Sequence, residues 1–141
     1  MSKFKAIIAA IGLMLAPFAA LGEVVVIVHP SATFDSMSAD DVSRLFLGKS
    51  KKFPDGTPAI PLNQDDGASA RDTFNEQVCK KNASQYKAYW SKLVFTGKGT
   101  PPKDAGDGNG VKSLVASNPN MIGYIDAGLV DASVKVVFKL D

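Results

Sequence analysis

Glu23-Val-Val-Val-Ile-Val28 is a run of β-branched residues with no polar alternation. A strand with one wet face alternates apolar and polar side chains, so this run describes a strand covered on both faces. A strand buried on both sides needs a layer of helices above and below it. The rest of the chain must supply them, which points to a layered α/β domain with a mainly parallel sheet.

The helical signals are present. Ser38-Ala-Asp-Asp41 reads as a capping box, the Ser38 hydroxyl accepting from the Asp41 amide, with Val42, Leu45 and Phe46 on one helical face and Gly48 as the stop. Pro54-Asp55-Gly56 is a turn, Ala59-Ile60-Pro61-Leu62 a short strand, and Asn63 to Ala68 a polar loop. Ser69-Ala70-Arg71-Asp72 reads as a second capping box, opening a helix that carries Phe74 and Val78. Ser84 is placed as the cap of a third helix whose apolar stripe is Tyr86, Tyr89, Trp90 and Leu93, spaced for core packing. Gly97 to Gly110 reads as a loop. A fourth helix is expected over about Asn109 to Ser117, ended by Asn118-Pro119, and two last strands over Met121–Ile125 and Val134–Phe138. No repeat or second domain boundary interrupts the series.

Residues 1–22 are of a different kind. Lys3 and Lys5 precede an uncharged apolar run from Ala6 to Ala16, and Ala20-Leu21-Gly22 offers small residues before Glu23. A basic start, a short apolar stretch and a small-x-small site make the pattern of a cleavable bacterial secretory signal. The run has 11 residues where a bilayer span needs roughly 20. The expectation is a signal peptide over 1–22 and one exported, periplasmic domain over 23–141. Removing the signal takes two lysines and no acids, leaving 14 basic and 14 acidic side chains. A chain of zero net charge lacks the basic excess that nucleic acid requires. Clusters such as Lys49/Lys51/Lys52 and Lys80/Lys81 then read as solvated faces.

One cysteine and one histidine exclude a disulfide scaffold and a cysteine or histidine metal centre; no cofactor is implied. His29 precedes a proline and no serine has an elbow context, so hydrolase chemistry finds no support. Cys79 reads as a small buried apolar residue. The chain is therefore expected not to be an enzyme.

Two segments suit a ligand, because ligands of open α/β sheets sit at the carboxyl ends of strands beside helix N-termini. In Leu62-Asn-Gln-Asp-Asp-Gly-Ala-Ser-Ala-Arg-Asp-Thr-Phe74, a loop leaves a strand and enters a helix whose first amides, around Ala70 to Asp72, have no partner within the helix. Free amides and the positive helix end attract an anion. Arg71 in that first turn needs compensation, from a bound oxyanion or from Asp65, Asp66 or Asp72. The second segment, Ala105-Gly-Asp-Gly-Asn-Gly-Val111, is a glycine-rich turn into the fourth helix. Neither ends in the Lys-Ser/Thr of a nucleotide loop.

These segments also carry a family resemblance. Met37-Ser-Ala-Asp-Asp-Val-Ser-Arg-Leu-Phe-Leu-Gly-Lys49 and Asp66-Gly-Ala-Ser-Ala-Arg-Asp-Thr-Phe74 resemble, respectively, the first-helix segment and the phosphate loop of periplasmic phosphate-binding proteins. Gly108-Asn-Gly-Val111 and Asn120-Met-Ile-Gly-Tyr-Ile125 are similar to that family's closing motifs, and Tyr89 to Lys103 looks like its short, single-lobe members. The four motifs run in the family's order from Val24 onward.

The resemblance implies a single-lobe periplasmic-binding-protein-like domain that binds phosphate or another small oxyanion and serves an ABC-type importer permease. Ser69, Ala70 and Arg71 would hold the anion at one helix N-terminus, Asn109 and Gly110 at another. Gln64 and Asp66 would shape the loop, Asp66 accepting from a protonated ligand oxygen. Two departures stand out. Full-length members have two lobes, whereas 119 residues make about one, so the cleft is either missing or completed by a homodimer or a second-lobe partner. The family's hydroxyl positions are Ala68 and Ala70 here. Each lost hydroxyl removes roughly 1.5–3 kcal/mol, and two weaken binding by about two to four powers of ten. The alternative reading is a lobe reused in the cell envelope for protein interaction or dimerisation without anion binding, which would expose an apolar patch.

Overall fold

The computed structural model describes residues 23–140, so the expected signal segment lies outside the described residues. The chain runs β1 (Val24–Val28), α1 (Ala39–Phe46), β2 (Ile60–Asn63), α2 (Ser69–Gln77), α3 (Ala83–Phe95), β3 (Lys103–Asp104), α4 (Gly108–Ser117), β4 (Met121–Asp126), a single 3-10 turn (Ala127–Leu129) and β5 (Lys135–Lys139). Five strands form one sheet in the order β3-β2-β4-β1-β5.

Every residue of β1 is buried, as its uninterrupted run predicts. Val24, Val26 and Val28 enter one core with Phe46, Phe74, Trp90 and Tyr124. Val25 and Ile27 enter the other, with Leu62, Val111, Val115 and Ile125. Alternate side chains thus feed the two faces of the sheet. α4 covers the second face at close range. A β-carbon on Gly123 of β4 would collide with the Val111 side chain, so only hydrogen fits there.

The α/β lobe flanked by helices is as expected, but the parallel character is confined to half of the sheet. β2 pairs in parallel with β3 and β4, whereas β1 runs antiparallel to β4 and β5. The expectation assumed that a strand buried on both faces lies among parallel neighbours. β1 shows that double burial alone does not set direction.

Several local boundaries move. The third helix is capped by Asn82, whose carboxamide accepts from the Gln85 amide at 2.8 Å while Gln85 Oε1 accepts from the Asn82 amide at 2.9 Å. Ser84 lies inside the first turn instead of capping it. The α1 cap is as expected: Ser38 Oγ accepts from the Asp41 amide at 3.0 Å. Gly48 closes that segment at φ +71, and a β-carbon there would stand 2.6 Å from the Trp90 ring. Tyr86 and Trp90 are buried, with Tyr89 and Leu93 packed at the margin of the same core.

Candidate functional site

The carboxyl end of β2 is the organising point. Asn63, expected in a polar loop, is instead the last residue of β2, and both it and Gln64 are buried. Buried amides must find partners. The Tyr124 hydroxyl donates to Asn63 Oδ1 at 2.8 Å and accepts from the Gln64 amide at 3.1 Å, and Gln64 Nε2 donates to the Tyr124 carbonyl at 2.9 Å. Asn63 Nδ2 donates to the Tyr86 hydroxyl at 3.1 Å, which donates to the Phe46 carbonyl at 3.0 Å. The network ties β2, β4, α1 and α3 together beneath the loop. Burial pushes the Tyr86 hydroxyl up to about 12 and Tyr124 higher still, so both remain neutral donors.

On this platform α2 begins. Its N-cap is Ala68, which has no side chain to offer, and Ser69 is the first helical residue instead of the cap. Among the described residues the Ser69 and Ala70 amides donate to nothing, while the Arg71 and Asp72 amides turn back to the Ala68 carbonyl. The positive end of α2 is therefore left with open donors.

Arg71 projects from the same turn, its side chain 13% exposed. Nη1 donates to the Gln64 carbonyl at 2.9 Å and to Asp104 Oδ1 at 2.8 Å, and the guanidinium lies 5.8 Å from the centre of the Tyr86 ring. The compensating carboxylate is thus Asp104, and none of Asp65, Asp66 or Asp72. Asp65 instead accepts from the Gly106 amide at 3.1 Å, and Asp66 pairs with Lys87 at 3.3 Å. Asp104 belongs to β3, a two-residue edge strand inside the stretch expected to be loop, 33 residues from Arg71. No spacing rule reaches a partner that only strand pairing brings near.

β3 also brings the second glycine-rich segment to the site. Ala105 N–H donates to the Asn63 carbonyl at 2.8 Å, and Asp65 N–H to the Gly106 carbonyl at 2.9 Å. The start of α4 is then beside Gln64: a β-carbon on Gly108 would lie 3.7 Å from Gln64 Nε2. The helix begins one residue before its expected start, capped by Asp107, whose carboxylate accepts from the Gly110 amide at 3.0 Å. Gly110 must be glycine because a β-carbon would meet the Ala105 carbonyl, but its amide is occupied. The Asn109 amide has no partner among the described residues. Arg71 and the start of α4 thus both reach Gln64 at the end of β2. Ser69 and Ala70 precede Arg71 in its helical turn, Asn109 and Gly110 follow Gly108, and Asp66 pairs instead with Lys87 of α3.

From Arg71 an open groove of about 750 Å³ runs between α3 and the Thr100–Asp104 segment. Tyr86, Trp90, Val94, Phe95, Pro101 and Pro102 provide its apolar wall. Phe95 is 92% exposed and Val94 about half exposed. Tyr86 and Trp90 of the α3 stripe therefore serve both the core and the buried floor of this groove, which core packing alone does not anticipate.

Cys79 lies in the turn just past α2, buried, with its thiol pushed up to about 12 by desolvation. Among the described residues no helix is long and apolar enough to cross a membrane, and no three His, Cys, Asp or Glu side chains converge as a metal centre would require.

No protein-family model and no curated protein matches the chain. Solved structures do share its fold. A phosphate ABC transporter substrate-binding protein with bound phosphate from Clostridium perfringens matches with a TM-score of 0.66 at 24% identity, over 82% of this chain and 44% of that one. An ABC-type phosphate transport receptor from Vibrio cholerae matches at 0.65 with 13% identity, and PstS from Borrelia burgdorferi at 0.63 with 11% identity. Both matches again cover 82% of this chain, and 45% and 46% of the other chains. The chain spans less than half the length of each of these structures. The shared property at this level of identity is the fold.

Proposed function

We propose that this chain is an exported, periplasmic, non-enzymatic solute-binding protein that takes phosphate or another small oxyanion at the start of α2 and works with an ABC-type importer. The observation that carries the reading is the first turn of α2. Its N-cap has no capping side chain, the Ser69 and Ala70 amides are open, and Arg71 stands in the same turn with Nε and Nη2 donating to nothing among the described residues. Amides at a positive helix end beside a guanidinium are the donors a tetrahedral oxyanion uses. Asn109 and Gln64 extend the polar margin, with Gly110 setting the close turn, and Asp66 shapes the outer loop. The fold shared with phosphate-transport receptors supports the same class of ligand.

The site takes its ligand weakly. Ala68 and Ala70 contribute no hydroxyl, and the Asp107 carboxylate already occupies the positive end of α4. Thermal melts with phosphate, sulfate and chloride raised to about 100 millimolar at matched ionic strength, about 100 times a millimolar dissociation constant, test the reading. A ligand at 100 times its dissociation constant adds about 2.7 kcal/mol, a rise of several degrees. A phosphate- or sulfate-selective rise that Arg71→Gln removes supports it; equal melts in all three salts overturn it.

The exposure of Phe95 and Val94 favours one second reading. In it the lobe is an envelope interaction or dimerisation module, and the groove beside α3 is covered by protein. Equal melts in the three salts together with a concentration-dependent dimer would select it.

A further inference from the structure

We infer that the groove beside α3 makes this site one for an organic anion: an apolar or aromatic body in the groove carrying a phosphoryl or carboxylate head at Arg71. The inference rests on the oxyanion reading of Arg71 and names the ligand class more narrowly. Three observations carry it. The volume, about 750 Å³, is that of a pocket for a small organic molecule, where a bare phosphate would leave most of the space unfilled. Trp90, Val94, Phe95, Pro101 and Pro102 make an apolar wall with Lys87, Ser91, Thr100 and Lys103 among them, while Asn63, Arg71 and Asp104 form a polar end where β2 pairs with β3. That division matches a molecule with one polar end.

The third observation is charge. The lining holds three cations, Arg71, Lys87 and Lys103. Asp104 pairs with Arg71 and Asp66 with Lys87, which leaves Lys103 without a carboxylate partner among the described residues and the cluster one positive charge in excess. Arg71 uses only Nη1 on protein partners, so the N–H groups of Nε and Nη2 remain for a head group. A guanidinium largely withdrawn from water next to an apolar wall favours an anion more strongly than the same group at an open surface. The occupant is therefore anionic at the Arg71 end and apolar along α3.

Trp90, the single tryptophan of the chain, lines the groove and reports on its occupancy. Titrations following Trp90 fluorescence, with calorimetry, compare inorganic phosphate, phenyl phosphate, benzoate and phenol. The expected result is that phenyl phosphate or benzoate binds about tenfold or more tighter than inorganic phosphate, because the ring is buried as well as the head. Phenol, which lacks the charge, does not bind measurably. Phe95→Ser, at an exposed position that the fold does not depend on, weakens the organic anion about threefold or more. Removing the rim cations together, Lys87→Ala with Lys103→Ala, does the same should Arg71→Gln fail to fold.

Phosphate binding as tight as phenyl phosphate and benzoate overturns this inference and leaves the oxyanion reading standing. Organic-anion binding without a response to phosphate or sulfate supports the inference and rejects a bare oxyanion as the ligand. No response to any of the four compounds overturns both. A dimer that Phe95→Ser dissociates assigns the groove to a second copy of the chain and also overturns the inference.

Discussion

Arg71 Nη1 and Asp104 Oδ1 meet at 2.8 Å, joining the first turn of α2 to the edge strand β3. The pair has two consequences. It steers a guanidinium that would otherwise oppose its own helix dipole, and it holds β3 against the helix end. It also leaves a carboxylate beside the donors that an anion would use.

Asp104→Asn removes that carboxylate while keeping its shape. Asp104 is half exposed, so the lost ion pair costs at most about 1 kcal/mol of stability. Anion affinity at Arg71 rises severalfold, because like charge no longer competes for the guanidinium. Parallel melts and phosphate titrations of the variant check both effects; weaker anion binding would contradict the assignment of the site to Arg71.

Asn82 and Ser84 separate the observed helix start from the one the local pattern suggests. Asn82→Ala breaks both hydrogen bonds of the capping box on α3 and costs about 1 kcal/mol. Ser84→Ala, inside the first turn, changes stability by less than about 0.5 kcal/mol. Urea denaturation midpoints of the two variants distinguish them directly.

Gly123 and Val111 are coupled across the β4–α4 contact. Gly123→Ala places a methyl group against the Val111 side chain in a fully buried layer and destabilises by about 1–3 kcal/mol. Val111→Ala opens room for it, so the double variant is more stable than the sum of the two single changes predicts. A double-mutant cycle in urea measures that coupling.

Alkaline pH weakens the fold through groups whose acid forms are held by burial. Cys79 and Tyr86 both lie near 12 in the native state, above their ordinary values of 9.0 and 10.0. From about pH 9 upward the unfolded chain therefore binds fewer protons than the native one, and stability falls with rising pH toward 12. In Cys79→Ala the decline sets in later, with the tyrosines, as pH-dependent denaturation midpoints will show. For the same reason the native thiol resists alkylation at pH 8 and reacts once the chain is unfolded.

Features set by neighbouring residues were legible without a fold. The β-branched run from Val24 to Val28 announced a doubly buried strand, and Ser38 and Gly48 announced the cap and the stop of α1, because each depends on local backbone geometry and residue type. The stretch from Gln64 to Arg71 was recognisable as a loop feeding a helix with open amides for the same reason. What tertiary structure alone decided were the long-range partners. β1 runs antiparallel to its neighbours because of chain path, which hydrophobic pattern does not encode. Asp104 reaches Arg71 only because a two-residue strand pairs with β2. Tyr86 and Trp90 line a groove as well as a core because the Thr100–Asp104 segment stands off from α3. Local sequence carries propensity and periodicity; the charge balance and shape of a site come from segments that meet only after the sheet has formed.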